Sequence, residues 1–274
     1  MSYPILFGNT ASAGGAQLPA GTWPANYANL ISNFTGTKYY VNASIGSNSN
    51  SGLAINQSKS TIDNAIQAAA SGSMIIISPG SYSHNTSGDM AESSYNNCVI
   101  TDYNKDLQIV FAPGQTTLSG TNSGSRDYHI SSIRNTNSKV YGAIFLRDNG
   151  GRIEPYMTAF LGFSAGESGK IASGTFYNCV FREINGNGRH SMHYDNGAPP
   201  GNARWTVEGC AFIGNTWLAN YSGGNSTTAR YCAAQSSSWD IAGTKVGNAV
   251  GKSFNASYQT DSTNYGVYYG TYSW

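Results

Sequence analysis

The stretch from Tyr39 to Tyr82 limits what this chain can fold into more than any other. It opens with Tyr39-Tyr40-Val41-Asn42-Ala43-Ser44, a short aromatic and β-branched run that reads as a strand. A Gly/Ser/Asn-rich loop follows to Gly52. Ile62, Ala65, Ile66 and Ala69 then fall at helical spacing and make one apolar face. Ser60 is placed to cap this helix, Asp63 sits near the positive end of its dipole, and Gly72 suits a left-handed position after it. Met74-Ile75-Ile76-Ile77 is a continuous apolar run, as expected of a strand covered on both faces. Pro79-Gly80 turns the chain before Tyr82.

The order and spacing of particular residues go further. Tyr40, Val41, Asn42, Gly46, Asn50, Ser51, Gly52, Thr61, Ile62, Ala65, Ile66, Ala69, Gly72, Ile75, Ile77, Pro79, Gly80 and Tyr82 together resemble the first coil of the right-handed parallel β-helix, pectin-lyase-like proteins. Within that group the chain looks like the bacteriophage decoration or tailspike type. The likeness covers about a sixth of the chain. It implies an all-β fold, a right-handed parallel β-helix (solenoid) capped by an N-terminal α-helix around Thr61–Ala70. It implies no activity, because that fold carries lyases, hydrolases, binding spikes and inert virion parts alike.

Composition agrees with stacked strands and polar turns. Only 11% of the 274 residues are charged, against about a quarter in ordinary domains, while Gly and Tyr are abundant. The formal charge of +1 and the absence of a basic run argue against nucleic acid or an anionic membrane as partner. No apolar stretch is long enough to span a bilayer. Met1 to Gly8 carries no basic region and no extended apolar run, so no signal peptide is expected.

Three regions follow. Residues 1–37 form an N-terminal extended arm, with Ile5, Leu6, Phe7 and Trp23 as the groups expected to dock on a partner. Residues 38–250 form the β-helix. Within it, short apolar cores recur at Asn97–Ile100, Asp106–Gly114, Tyr141–Leu146, Thr158–Phe163, Phe176–Phe181, Val207–Phe212 and Tyr231–Ala234. Residues 251–274 form a Tyr-rich C-terminal cap, since the last coil of a solenoid must be covered. Tyr265, Tyr268, Tyr269, Tyr272 and Trp274 in it are candidates for contact with a glycan or a second subunit. Cys98, Cys179, Cys210 and Cys232 sit in apolar cores and are expected to point inward as free thiols. No close Cys-X-X-Cys pair occurs, and neither a metal nor a cofactor is expected.

Chemistry, if present, belongs to the polar segment 147–195. Asp148 and Glu183 are the carboxylate pair a glycosidase would need, about 5 Å apart for retention and up to about 9.5 Å for inversion. Arg189, His190 and His193 are the alternatives for a lyase base or a uronate partner. His190-X-X-His193-X-Asp195 is a weak metal signal. Against catalysis, adjacent Arg and Glu on a solenoid face are usually surface ion pairs. The chain also lacks the Asn-Thr-Asp, Gly-His-Gly and Arg-Ile-Lys signatures of polygalacturonases and the Trp-Ile-Asp-His of pectate lyases. No phosphate loop and no Gly-X-Ser-X-Gly elbow is present.

The expectation is therefore a non-enzymatic virion surface protein: a capsid decoration protein, head fibre or tail-attached spike. It would be anchored to capsid or tail proteins by its arm, be homotrimeric as such spikes usually are, and possess affinity for host glycans at most. The alternative is a polysaccharide lyase or glycoside hydrolase acting on capsule or cell-wall glycan. A glycan-binding module using surface aromatics such as Trp205 or Trp217 is a third reading.

Overall fold

The computed structural model describes residues 18, 23–83, 100–103, 105–121, 128–133, 135–148, 158–163, 172–183, 192–194, 203–213, 226–235, 239–241, 244–246, 252–259 and 267–271. In chain order the elements are α1 (Ala25–Asn33), β1 (Lys38–Val41), α2 (Ile62–Ala68), β2 (Ser73–Ile77), β3 (Gly80–Ser83), β4 (Ile100–Thr101), β5 (Leu107–Phe111), β6 (Thr116–Thr121) and β7 (Tyr128–Ser132). They continue with β8 (Lys139–Tyr141), β9 (Ile144–Asp148), β10 (Thr158–Phe163), β11 (Ala172–Tyr177), β12 (Val180–Glu183), β13 (Met192–Tyr194) and β14 (Ala203–Glu208). The last are β15 (Ala211–Ile213), β16 (Ser226–Gln235), β17 (Trp239–Ile241), β18 (Thr244–Val246), β19 (Lys252–Gln259) and β20 (Val267–Thr271).

The fold is all-β and mostly parallel. One ladder runs β1-β2-β5-β8-β11-β14-β16, a second runs β3-β6-β9-β12-β15-β16, and a third runs β4-β7-β10-β13. From β2 to β12 each strand pairs in parallel with the strand three places further on. A parallel pair needs a long crossover, usually a helix. Here the crossover holds the strands of the other ladders, so one segment of chain lays down one layer of each. β16 is long enough to pair with β14 through its first half and β15 through its second. β19 then pairs antiparallel with β16, and β20 with β19.

The alternation of side chains along each strand divides the first ladder between two apolar clusters. Val41, Ile75, Ile77, Leu107, Ile109, Phe111, Val140, Phe176 and Val207 enter the inner cluster. The second ladder adds Tyr82, Leu118, Phe145 and Phe181 to the same interior. Phe145 and Phe181 stack at 4.8 Å between ring centroids, and Phe176 meets Phe145 edge-on at 5.9 Å. Tyr40, Met74, Ile76, Val110 and Ala112 face outward into a second cluster, where Trp23, Tyr27 and Ile31 cover them. That covering explains why Met74–Ile77 is apolar at every position: both faces of β2 are buried.

α1 overturns one expectation. The sequence places Trp23 in an arm expected to dock on a partner, yet it is 3% exposed and lies in this chain's own outer cluster. The physical reason is that β1, β2 and β5 present an apolar outer face that needs a lid. The helix supplies Tyr27, Ala28 and Ile31 at the spacing of one face, and Leu18 packs beside them. Ile5, Leu6 and Phe7 lie outside the described residues.

The start of the first ladder is closed by the loop between β1 and α2. Tyr40 N–H donates to Gly52 O, Lys59 N–H to Tyr40 O, and Asn42 N–H to Lys59 O, so the free edge of β1 finds partners locally. Asn42 Oδ1 accepts from Ser44 N–H and Ile45 N–H, and Asn48 Oδ1 accepts from Ser60 N–H and Thr61 N–H. A Cβ at Gly46 would lie 2.3 Å from Lys59 O, so only glycine lets the backbones approach. α2 then covers the interior with Ile62, Ala65 and Ile66. Its cap is Thr61 rather than Ser60: Thr61 is the extended residue whose Oγ1 accepts from Asn64 N–H at 3.3 Å, while the Ser60 backbone is engaged by Asn48. Gly72 is left-handed as expected (φ +82°), in the turn into β2.

Three apolar cores read as single units are each split by a turn. Tyr141–Leu146 breaks at Gly142-Ala143, Phe176–Phe181 at Asn178-Cys179, and Val207–Phe212 at Gly209-Cys210. The first residue of each turn is left-handed, at φ 77°, 51° and 63° respectively. Their N–H groups bond across layers: Gly142 to Tyr177 O, Asn178 to Glu208 O and Gly209 to Arg230 O. The second residue points inward, and Cys179 and Cys210 are buried free thiols, as their apolar setting implied. Cys98 lies outside the described residues.

Trp23→Ala should lower stability by about 3–5 kcal/mol, read as a shift of the urea midpoint. Burial, with stacked Tyr177 adding to it, pushes the Tyr141 hydroxyl from 10.0 up to about 12, and burial raises Tyr27 in the same direction. Since the folded state holds these protons more tightly, the stability they contribute is whole below about pH 10 and lost as pH rises toward about 12. Thermal melts across that window should fall in the wild type and fall less in Tyr141→Phe.

Candidate functional site

Two polar regions have residues of the kind that could carry chemistry. The first is the row at the downstream ends of the second ladder. Thr121 stands level with Asp148 across β6 and β9, and Arg147 stands level with Glu183 across β9 and β12. The structure thus brings the strands of the two nominated carboxylates side by side, with Glu183 in register with Arg147 and Asp148 one residue further along. Arg182, level with Leu146 and Ile213, is exposed. His193 belongs to a different ladder, where it pairs with Gly162 of β10. Arg189 and His190 lie outside the described residues. Among the candidate aromatics, Tyr268 and Tyr269 lie on β20 beside Tyr258 and Ser257, and Trp205 lies on β14 between Gly174 and Thr227. Tyr265, Tyr272, Trp274 and Trp217 lie outside the described residues.

The second region is a polar cluster beneath α2. Sequence reasoning missed it. Asp102 is fully buried, and its Oδ2 accepts from Asn135 N–H at 2.8 Å. The Ser138 hydroxyl lies 2.9 Å from that oxygen and 2.8 Å from Lys105 O, with one proton to give, and accepts from Leu107 N–H. Tyr103 is left-handed at φ 48°, a conformation costing a non-glycine residue about 1–3 kcal/mol. That bend aims its hydroxyl at Asp63 Oδ1, to which it donates, while Gln67 Nε2 donates to Asp63 Oδ2 at 2.7 Å. Lys105 Nζ donates to Ile66 O, Gln67 O and Ala69 O at 2.8, 2.9 and 2.8 Å. Partial burial pulls this ammonium below the ordinary lysine range, and the Asp63 carboxylate opposes the pull.

The arrangement is a clamp. Lys105 satisfies carbonyls at the C-terminal end of α2, where a cation also suits the helix dipole. Asp63 and Gln67 tie the first two turns to Tyr103, and Asp102 with Ser138 ties that segment to the layer beyond. The donors and acceptors face one another, which is the chemistry of fastening rather than of turnover. One signal for it was on view in the sequence: three charged residues, Asp102, Lys105 and Asp106, immediately before the buried run Leu107–Phe111 in a chain with few charges. Among the described residues no three His, Cys, Asp or Glu side chains converge as a metal would require. No described helix is long and apolar enough to cross a membrane.

No family model matches this chain, and no curated protein matches it. Among solved structures it is similar to a rhamnogalacturonan lyase, with 14% identity and a TM-score of 0.46 over 76% of this chain and 54% of that one. The chain therefore spans about half the length of the structure it matches. No residue role is carried across from it.

Lys105→Ala should cost about 1–2 kcal/mol, and Thr61→Ala about 1 kcal/mol, in urea unfolding. Unchanged midpoints in both variants would mean that α2 is not held by its caps.

Proposed function

We propose that the chain is a right-handed parallel β-helix serving as a non-enzymatic surface protein of a bacteriophage particle: a decoration protein, head fibre or tail-attached spike. The observation that carries this reading is where the polar chemistry goes. Asp63, Asp102, Tyr103, Lys105 and Ser138 fasten layer to layer, and Asn42 and Asn48 close the β1 edge. Such a body is a stiff support for a surface. Supporting it as well are the low charge and Gly/Ser/Asn/Tyr-rich composition. In this reading three copies stand side by side, and the particle is gripped by the residues ahead of Leu18, since Trp23 and α1 are engaged within the chain.

A polysaccharide-cleaving enzyme is the second reading, and one observation favours it: Asp148 and Glu183 lie on neighbouring strands of one ladder.

Solution mass and particle fractionation decide between them. The structural reading expects a trimer that copurifies with particles, and loss of copurification when residues 2–17 are removed while the circular dichroism spectrum stays the same. A monomer absent from particles overturns it. The enzymatic reading expects oligosaccharide release from capsule or cell-wall glycan that is lost in Glu183→Gln or Asp148→Asn; release unaffected by both substitutions removes that pair.

A further inference from the structure

Cys179 and Cys210 occupy the same place in successive layers. Each follows a left-handed residue, Asn178 at φ 51° and Gly209 at φ 63°. The strands on both sides are in register, Tyr177 with Glu208 before the turn and Val180 with Ala211 after it. The two Cα atoms are thus one strand spacing apart, about 4.8 Å, inside the window of about 4.4–6.8 Å that a disulfide spans. Cys210 Sγ already reaches the Cys179 backbone, whose N–H donates to it at 3.4 Å. Cys210 Sγ lies 3.4 Å from Phe176 O in the layer of Cys179 and 3.5 Å from Glu208 O in its own. Cys179 Sγ lies 3.4 Å from Tyr177 O in its own layer and 3.8 Å from Val140 O in the one before, so it must turn to another rotamer to meet Cys210 Sγ.

We propose that this corner has a second, oxidised state in which Cys179 and Cys210 form a disulfide that staples one layer to the next. Both residues are 1% exposed in the folded chain, so the bond forms while the 203–213 segment is still docking. The oxidant is a small-molecule disulfide. The Cys179 thiolate attacks one of its sulfurs and releases one small thiol. The Cys210 thiolate then attacks the mixed disulfide at Cys179 Sγ and releases the other. The protein loses two thiol protons and two electrons, and the oxidant is reduced to two thiols.

Register sets the pairing. On the near side of Cys179 the corresponding turn residue is Ala143, which has no sulfur. On the far side of Cys210 the next residue by register is Cys232, which lies inside the continuous strand β16 rather than in a turn, at a shift in the β16–β19 register. The backbones at 179 and 210 are equivalent; the backbone at 232 is not.

The test is refolding of the reduced full-length chain with oxidised glutathione, followed by alkylation and peptide mass analysis. One cross-linked peptide pair joining Cys179 to Cys210 is expected, and the oxidised protein should melt at a higher temperature than the reduced one. Cys210→Ala should abolish both the cross-link and the rise, and should fold, because alanine already occupies this corner at Ala143. Cys179→Ala is the second variant and should behave alike. The proposal is overturned if all four cysteines remain alkylatable after refolding, if the bonds formed match the mixture made by the unfolded chain, or if Cys210 pairs with Cys232.

Discussion

A parallel strand cannot reach its partner through a tight turn, since a long crossover must bring the chain back, and the rest of this structure follows from that. The N–H and C=O groups of Ile75, Ile109, Val140, Phe176 and Val207 are paired only because the next layer of chain returns to the same place. Each layer is stable only if another lies beyond it. The first layer and the last are therefore the weak points. At the first, the loop carrying Gly46, Asn48 and Gly52 closes the edge of β1 while α2 covers the interior. At the last, the direction of pairing reverses, and β19 lies antiparallel on β16.

The scarcity of charge has the same origin. The strands bury alternate positions, and β2 and β5 nearly all of them, and a buried charge is tolerated only with partners. Asp102, fully buried, has its partners across a layer boundary at Asn135 and Ser138. The left-handed Tyr103 is a local strain, and in that conformation its hydroxyl donates to Asp63. Strand pairing does not by itself make a site: the nominated acids lie at strand ends, one residue out of register.

How much was legible depended on how local the cause was. Val41, Ile62, Ile66, Ile75 and Pro79-Gly80 could be read because strand, helix, strand and turn follow one another within one short segment, each signalled by its own residues. The broken cores at Gly142, Asn178 and Gly209 could not. Apolar residues stand on both sides of each turn, and the turn exists because its N–H bonds to a carbonyl far along the chain, from Gly142 to Tyr177, Asn178 to Glu208 and Gly209 to Arg230. Lys105 meets carbonyls 36 to 39 residues away, so nothing beside it in the sequence announces its partners. Trp23 was misjudged for a related reason: a single aromatic residue ahead of the first strand has no period of its own, and the face it covers is assembled from β1, β2 and β5.

The kind of layer this chain makes is written locally in its residues: short strands, a capped start, cysteines at apolar positions and few charges. These follow from spacing and side-chain character, which act over a few residues. The tertiary structure alone decided which layers lie in register. It set Arg147 beside Glu183, placed Cys179 beneath Cys210, and turned Trp23 inward. Register is a property of two segments at once. It is set by inward-facing phenylalanines and by turn hydrogen bonds between strands far apart in the chain, and neither segment carries it alone.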